Sequence, residues 1–413
     1  LNRPLTQKPG NIFYIIDFDS TFIKLEALDE LAKISLANNP DKTDLIEKFE
    51  SITGRTMNGE ISFSASLSER ISLLNADRSH LIKLIKKLSG KVSGSVKRNK
   101  SFFKKNRKNI YIISGGFKEI ISPIVRDFDI PEKNIFANTF EFDKAGRITG
   151  YDKNNLLSKD SGKIKQLKEL KLPGELYVIG DGYTDYELKK SGIAHKFFAF
   201  TENIEREIVA SKADHITPSM DEFLYLNNLP MSISYPKNRI KVLLLENIHP
   251  DAFNILKAEG YRVETHLKSL STKELAEKIK DVSILGIRSK THVNAEVLKN
   301  ARRLISVGAF CIGTNQIDLN ECLKLGIAVF NAPFSNTRSV VELALAEMII
   351  LMRNIIGKSN SLHNGKWDKS AIGSFEIRGK KIGIIGYGKI GSQLSVLAED
   401  LGMEVYYYDV VDK

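Results

Sequence analysis

A run of five apolar residues, Ile12–Ile16, ends in Asp17-Phe18-Asp19-Ser20-Thr21. Such a run reads as a buried strand, and it delivers two carboxylates to its C-terminal end, where open α/β sheets place their chemistry. Side chains alternate along an extended segment, so Asp17 and Asp19 are expected to leave one face and share a cation. The pattern recurs downstream. Ile110-Tyr111-Ile112-Ile113 runs into Ser114-Gly115-Gly116-Phe117, and residues 176–179 run into Gly180-Asp181-Gly182-Tyr183-Thr184-Asp185. A hydroxyl and two glycines at a strand-to-helix turn leave backbone N–H groups free for a phosphate, and acids between glycines suit a metal.

Helical periodicity fills the stretch between the first two strands, residues 25–101, with apolar positions at Leu67, Ile71 and Leu74 and again at Leu81, Leu84, Ile85 and Leu88. A helical insert directly after the first strand is expected to form a lid over the strand ends. Ser161-Gly162-Lys163 opens a further amphipathic helix marked by Ile164, Leu167 and Leu170, and a lysine there is placed to reach a phosphoryl group.

Residues 226–238 hold two prolines and no clear period, which predicts a linker. Strands and helices then alternate again from 240 to 330, so a second parallel sheet is expected. Near the end, an apolar strand enters Gly386-Tyr387-Gly388-Lys389-Ile390-Gly391, a helical pattern follows, and Asp409 closes the next strand. Strand, glycines, helix and acid in that order form the dinucleotide fingerprint: the glycines admit a pyrophosphate to the helix N-terminus and Asp409 takes the ribose hydroxyls. An acid there repels a 2′-phosphate, which favours NAD over NADP.

The formal net charge is +11. No stacking-aromatic motif, helix-turn-helix signature or metal finger accompanies it, so the basic run 97–108 reads as a solvated helix face, not a nucleic-acid patch. Cys311 and Cys322 make neither a disulfide framework nor a zinc cluster, and a reduced, cytoplasmic setting is expected. No apolar run approaches the ~20 residues that span a bilayer. The chain begins without methionine and stops at Lys413 just after an expected strand, so both ends read as cut.

On its four strand-end and helix-start motifs in this order, the stretch 11–225 resembles the haloacid dehalogenase superfamily and, within it, the phosphoserine phosphatases. The resemblance implies a Rossmannoid domain with a helical cap at about 25–101. It implies Asp17 as the nucleophile that forms an aspartyl-phosphate, Asp19 as general acid and base, and Ser114 with Gly115, Gly116 and Thr184 around the substrate. Mg²⁺ would be held by Asp17, the backbone carbonyl of Asp19, Asp181 and Asp185. Lys159 and Lys163 both lie in the family's lysine window, with Ser161-Gly162-Lys163 the better match. In the cap, Glu26 matches the acid toward the substrate ammonium, Arg70 the arginine for its carboxylate, and Met57 and Phe63 the apolar residues that close over it. O-phosphoserine is the implied substrate.

The stretch 239–413 resembles the N-terminal part of the D-3-phosphoglycerate dehydrogenases, in the D-2-hydroxyacid dehydrogenase family. The resemblance rests on Gly286-Ile287-Arg288-Ser289-Lys290-Thr291, on the run from Gly308-Ala309-Phe310 to Ile317-Asp318, and on Phe330-Asn331-Ala332-Pro333 through Arg338-Ser339-Val340. It implies a flavodoxin-like substrate domain at 239–340 and the first part of an NAD-binding Rossmann domain at 341–413. Arg288, Ser289 and Lys290 would face the phosphate and carboxylate of 3-phosphoglycerate, with Gly386, Gly388, Lys389, Ile390, Gly391 and Asp409 on NAD. The family's catalytic arginine, glutamate and histidine come after the second strand of that domain, so hydride-transfer apparatus is expected to be missing from this chain, and His249 reads as a structural cap. The expectation is a bifunctional enzyme of L-serine biosynthesis with small-molecule substrates, no nucleic-acid or membrane partner, and a homo-oligomer for the full-length protein. The alternative is a phosphatase for another small phosphomonoester joined to a non-catalytic NAD-sensing module.

Overall fold

A computed structural model describes residues 11–37, 39–57 and 60–412. The chain divides into two compact units at Arg239/Ile240, with residues 258–262 falling with the first.

In the first unit a six-stranded parallel sheet carries the fold. Its strands are β1 (Ile12–Ile16), β2 (Ile110–Phe117), β3 (Ile135–Asn138), β6 (Glu175–Gly180), β7 (Lys196–Phe200) and β8 (His215–Thr217), in the order β3-β2-β1-β6-β7-β8; β4 (Phe140–Phe142) and β5 (Ile148–Tyr151) form a separate antiparallel hairpin. Strand alternation divides β1 between two cores. Tyr14 and Ile16 join Ile110, Ile112, Tyr177 and Ile179 on one side, while Phe13 and Ile15 join Ile113, Leu176 and Val178 on the other. Both faces are buried, as a parallel sheet requires. The chain leaves β1 toward β2 and later returns to its other side with β6, so the switch point of the sheet lies at the C-terminal end of β1.

The insert after β1 is helical as expected: α1 (Ala27–Ser35), α2 (Lys42–Met57), α3 (Phe63–Leu73) and α4 (Arg78–Ser89), followed by two short helices up to Lys105. Leu28, Leu31, Leu67, Leu81, Leu84 and Leu88 share one core with Ile16 and Phe18, so the cap packs on the same face as the site. Ser62 caps α3 by accepting from Ala65 N, and Asp77 and His80 form a capping box on α4. The β4–β5 hairpin has no counterpart in the sequence reading, because Phe-Glu-Phe and Ile-Thr-Gly-Tyr are too short to show a period; Phe140 stacks on Phe117 at 3.6 Å between ring centroids.

One local expectation changes. The Ser114-Gly115-Gly116 segment is not a turn: β2 runs through it to Phe117, with its pairing to β3 broken between Ile113 and Phe117. The segment 226–238, expected as a linker, comes just before the division between the units and is anchored on the first. Ser232 donates its N–H to Asn99 Oδ1 at 2.8 Å and its hydroxyl to the Arg98 carbonyl at 2.7 Å, while Arg239 forks onto Glu222 at 2.6–3.0 Å.

In the second unit β9 (Lys241–Leu244), β10 (Arg262–Thr265), β11 (Ile284–Ile287), β12 (Ser306–Ala309) and β13 (Ala328–Asn331) build a sheet of order β10-β9-β11-β12-β13. The pair β14 (Lys381–Ile385) and β15 (Glu404–Tyr408) is parallel and flanks the helix Lys389–Asp400.

Candidate active site

Asp17 follows β1 in an extended conformation, and its Oδ1 accepts the Phe18 N–H at 2.8 Å. Asp181 follows the neighbouring β6, and Asp185 lies in the first turn of the helix Tyr183–Lys190. Oxygens of these three carboxylates all come within 4.8 Å of one another. Gly180 makes this possible, since a Cβ there would stand 2.2 Å from Asp185 Cγ. Lys163, 7 % exposed, reaches Asp17 Oδ2 at 3.0 Å and Asp185 Oδ1 at 2.6 Å. Burial works against its ammonium, but Asp17 and Asp185 outweigh that and hold its pKa above the usual value. Lys159 is exposed at the mouth of the cavity, so the choice between the two lysines falls on Lys163 for contact with the acids.

The Asp19 carboxylate does not join the Asp17–Asp181–Asp185 group, contrary to the shared-cation expectation drawn from strand alternation. The chain leaves the strand at Asp17, and Ser20 sits at φ +52°, which turns Asp19 toward the cap so that its Oδ1 accepts the Ala27 N–H at 2.7 Å. Burial, then the nearby Glu26 charge, push its pKa well above the carboxylate range. Burial and Glu26 do the same to Asp181, and burial with Asp17 raises Asp185 to about 7. The excess of buried negative charge and the all-oxygen donor set suit a hard divalent cation.

Asp17, Asp19 and Lys163 line a cavity of about 380 Å³, with Ser114, Gly115 and Gly116 from β2, Thr184 from the β6 end, and Glu26, Phe63 and Arg70 from the insert. Ser114 is buried and its Oγ accepts the Gly116 N–H at 3.0 Å. Phe63 lies on Gly115, where a Cβ would come within 2.6 Å of its ring. The side chain of Met57 lies outside the described residues. Arg70 is 5 % exposed; its Nη1 is 3.4 Å from Thr53 Oγ1, and its Nε has no hydrogen-bond partner among the described residues.

Three residues that the sequence reading passed over belong here. Arg206 pairs with Asp181 Oδ2 at 3.1 Å and stands 3.7 Å from Glu26 Oε1, which also accepts the Ser20 hydroxyl at 2.6 Å. Asn203 donates to the carbonyls of Ser20 and Ile23 at 2.9 and 3.3 Å, bracing the strained turn. Asp29 accepts from Thr53 at 2.7 Å, and burial followed by Glu26 raises its pKa to about 7. None sits in a recognisable motif, so only their positions in space mark them.

In the second unit Arg288, Ser289 and Lys290 are exposed on the loop after β11. The buried Glu246 carboxylate, beyond β9, accepts the N–H groups of Arg288, Lys290 and Thr291 at 3.1, 2.9 and 2.9 Å, and Gln316 donates to the Arg288 carbonyl at 2.8 Å. Burial opposes the charged form, yet these donors hold its pKa below the usual value. Stability from this carboxylate is therefore present above its unfolded pKa and is lost as pH falls through the folded one. Glu246→Gln is expected to cut hydrogen-exchange protection at the amides of 288, 290 and 291 about 10- to 100-fold, the equivalent of ~1–3 kcal/mol for donors left unpaired. Unchanged protection would show that the loop needs no such anchor.

Gly386, at φ +95°, opens the glycine turn, and Gly391 packs so closely that a Cβ would lie 2.2 Å from the Gly386 carbonyl. Gly388 caps the helix that starts at Lys389 and Ile390. Asp409 reaches back to this turn, its Oδ2 accepting the Tyr387 N–H at 2.6 Å.

Comparison with known proteins follows this division. Residues 242–401 match the family of D-isomer specific 2-hydroxyacid dehydrogenases, catalytic domain. D-3-phosphoglycerate dehydrogenase of Haemophilus influenzae is 55 % identical over 182 residues, 44 % of each chain, and that of Escherichia coli K12 is 50 % identical over the same length and shares. The chain thus spans about 44 % of the length of these curated relatives. Among solved structures, a phosphoserine phosphohydrolase-like protein from Francisella tularensis is 31 % identical, covering 52 % of this chain and 98 % of its own, with a TM-score of 0.48. Residues 242–401 thus match a D-isomer specific 2-hydroxyacid dehydrogenase domain, and the N-terminal unit has phosphoserine phosphatases among its structural neighbours.

Proposed function

We propose that the N-terminal unit hydrolyses O-phosphoserine through an aspartyl-phosphate on Asp17, with Mg²⁺ as cofactor. The dehydrogenase domain serves NAD-dependent oxidation of 3-phosphoglycerate in the whole protein, so one cytoplasmic polypeptide contributes to the first and last steps of the phosphorylated route to L-serine. The observation that carries the phosphatase reading is Arg70: a buried guanidinium on the cavity wall with Nε unpartnered, in the same cavity as Glu26. A buried donor without an acceptor is costly, and a substrate carboxylate removes that cost. A guanidinium and a carboxylate in one cavity with a nucleophile and a lysine fit an amino-acid phosphate.

In this reading an Asp17 oxygen attacks phosphorus as the bond to the serine oxygen breaks. Asp19, whose hold on a proton is strengthened by burial and by Glu26, gives its proton to that leaving oxygen. The Asp19 carboxylate then takes a proton from water, whose oxygen attacks phosphorus and frees Asp17 and phosphate. Lys163 and the Ser114 hydroxyl stabilise the phosphoryl oxygens. Asp17, Asp181 and Asp185 would hold Mg²⁺, which supplies charge neutralisation between carboxylates and phosphate.

The test is phosphate release from L-phosphoserine and from O-phosphoethanolamine, each with and without Mg²⁺. Release that requires the metal is expected, with kcat/KM at least about 100-fold lower for the ester that lacks a carboxylate. Equal turnover of the two esters would refute the assignment of Arg70 and with it phosphoserine as substrate.

A further inference from the structure

Asp160 lies in the loop that leads to Lys163, between the two lysines of the sequence motif, and was given no role there. Both of its carboxylate oxygens are engaged by one residue of the cap: Oδ1 accepts the Ser64 N–H at 2.9 Å and Oδ2 accepts the Ser64 hydroxyl at 3.0 Å. Ser64 is the second residue of α3, whose N-terminal end bears partial positive charge from unsatisfied N–H groups. The side chain just before it, Phe63, is the one that lies on Gly115 and closes the cavity wall. Three residues after Asp160 comes Lys163, held on Asp17 and Asp185. One two-pronged contact therefore ties the α3 end of the cap to the loop that presents the phosphate-facing lysine.

We propose that Asp160 is a positioning residue that latches the cap shut over the bound substrate through Ser64. The inference rests on the phosphatase reading and deepens it: the latch selects esters large enough to be enclosed and to draw Arg70 and Glu26 onto themselves. Several features suit a latch over a permanent brace. Asp160 and Ser64 are at the surface, where such contacts contribute little and break readily in water. A lid has to open to release serine, so a weak contact at its rim is compatible with turnover. The backbone beside it is preset, since Ser161 sits at φ +53° and Gly162 fits so tightly that a Cβ would meet the Leu156 carbonyl at 2.3 Å. The loop does not have to rearrange when the cap lifts.

The experiment measures kcat and KM of the full chain for L-phosphoserine and for p-nitrophenyl phosphate, with Mg²⁺, in the wild type, Asp160→Ala, Ser64→Ala and the double variant. Asp160→Ala is expected to raise KM for phosphoserine about five- to tenfold, the loss of two modest hydrogen bonds, with kcat within about twofold. The aryl ester, which offers no groups to Arg70 or Glu26, is expected to keep its constants. Ser64→Ala removes one of the two prongs, so its smaller effect disappears in the Asp160→Ala background. Asp160→Asn, which keeps one uncharged acceptor, restores part of the affinity. Equal losses on both substrates, or additive effects of the two substitutions, overturn the latch in favour of a general structural role. A wild type that cleaves the aryl ester and leaves phosphoserine untouched overturns the substrate reading instead, and the latch with it.

Discussion

Asp17→Asn is expected to lower phosphate release from L-phosphoserine by about 10⁴-fold or more, the scale seen when a covalent nucleophile is removed. The carboxamide keeps the shape of the side chain but has one oxygen in place of two, so of the Phe18 N–H on Oδ1 at 2.8 Å and Lys163 on Oδ2 at 3.0 Å it keeps an acceptor for one. It does not attack phosphorus as an anion. Folding is not the limiting factor, because the substitution removes one charge from a buried group whose other members, Asp181 and Asp185, already carry raised pKa values from burial. Thermal unfolding without metal is therefore expected to occur at the same temperature or higher. The gain in midpoint on adding Mg²⁺, which for a metal at 100 times its Kd amounts to about 2.7 kcal/mol, is expected to shrink. A variant that keeps its rate excludes Asp17 as nucleophile.

Arg70→Ala should have the second largest effect, and it has two parts. Phosphoserine loses its carboxylate partner, so kcat/KM is expected to fall about 10²- to 10³-fold, while O-phosphoethanolamine is turned over nearly as before. The variant is also expected to be less stable, by roughly 3–5 kcal/mol at pH 8, because a buried cation is removed from among Asp29, Glu26 and Asp19. The pH dependence carries a sign. Asp29 has a folded pKa of about 7, raised above its unfolded value, so the stability linked to its protonation is fully present below the unfolded pKa and lost as pH rises toward 7. Arg70 lowers that pKa by its charge. Without it the fall continues to higher pH, and the difference between wild type and variant should widen from pH 5 to pH 8 in parallel denaturation series. A constant difference across that range would mean that Arg70 acts through packing, not charge.

Much of this site was readable because it is built from strand ends. A five-residue apolar run followed by acids, or an apolar run followed by Gly180-Asp181, is a local pattern whose consequence is also local: the side chain emerges at the sheet edge. Between the two lysines the sequence favoured Lys163 only by motif, and its place on Asp17 and Asp185 came from the structure. The Ser114-Gly115-Gly116 segment was misread because glycines mark turns and close approaches alike, and here they serve the approach of Phe63 and Asp19, with β2 extended throughout. The anchors of the segment before Arg239, namely Asn99, Arg98 and Glu222, left no mark in the sequence because they are ordinary helix and helix-end residues.

Periodicity and motif order alone determined that this chain builds two parallel sheets, that acids, a hydroxyl and a lysine gather at the edge of the first, and that a dinucleotide turn lies near the end. Hydrophobic burial enforces these features segment by segment, so they survive without knowledge of what packs against what. Tertiary structure decided which charges face one another. Lys163 on Asp17, Arg206 between Asp181 and Glu26, Asp29 behind Arg70, and Asp160 on Ser64 join residues from separate elements. Electrostatic and hydrogen-bond energies depend on separations of a few ångströms through space, a quantity that spacing along the chain does not contain.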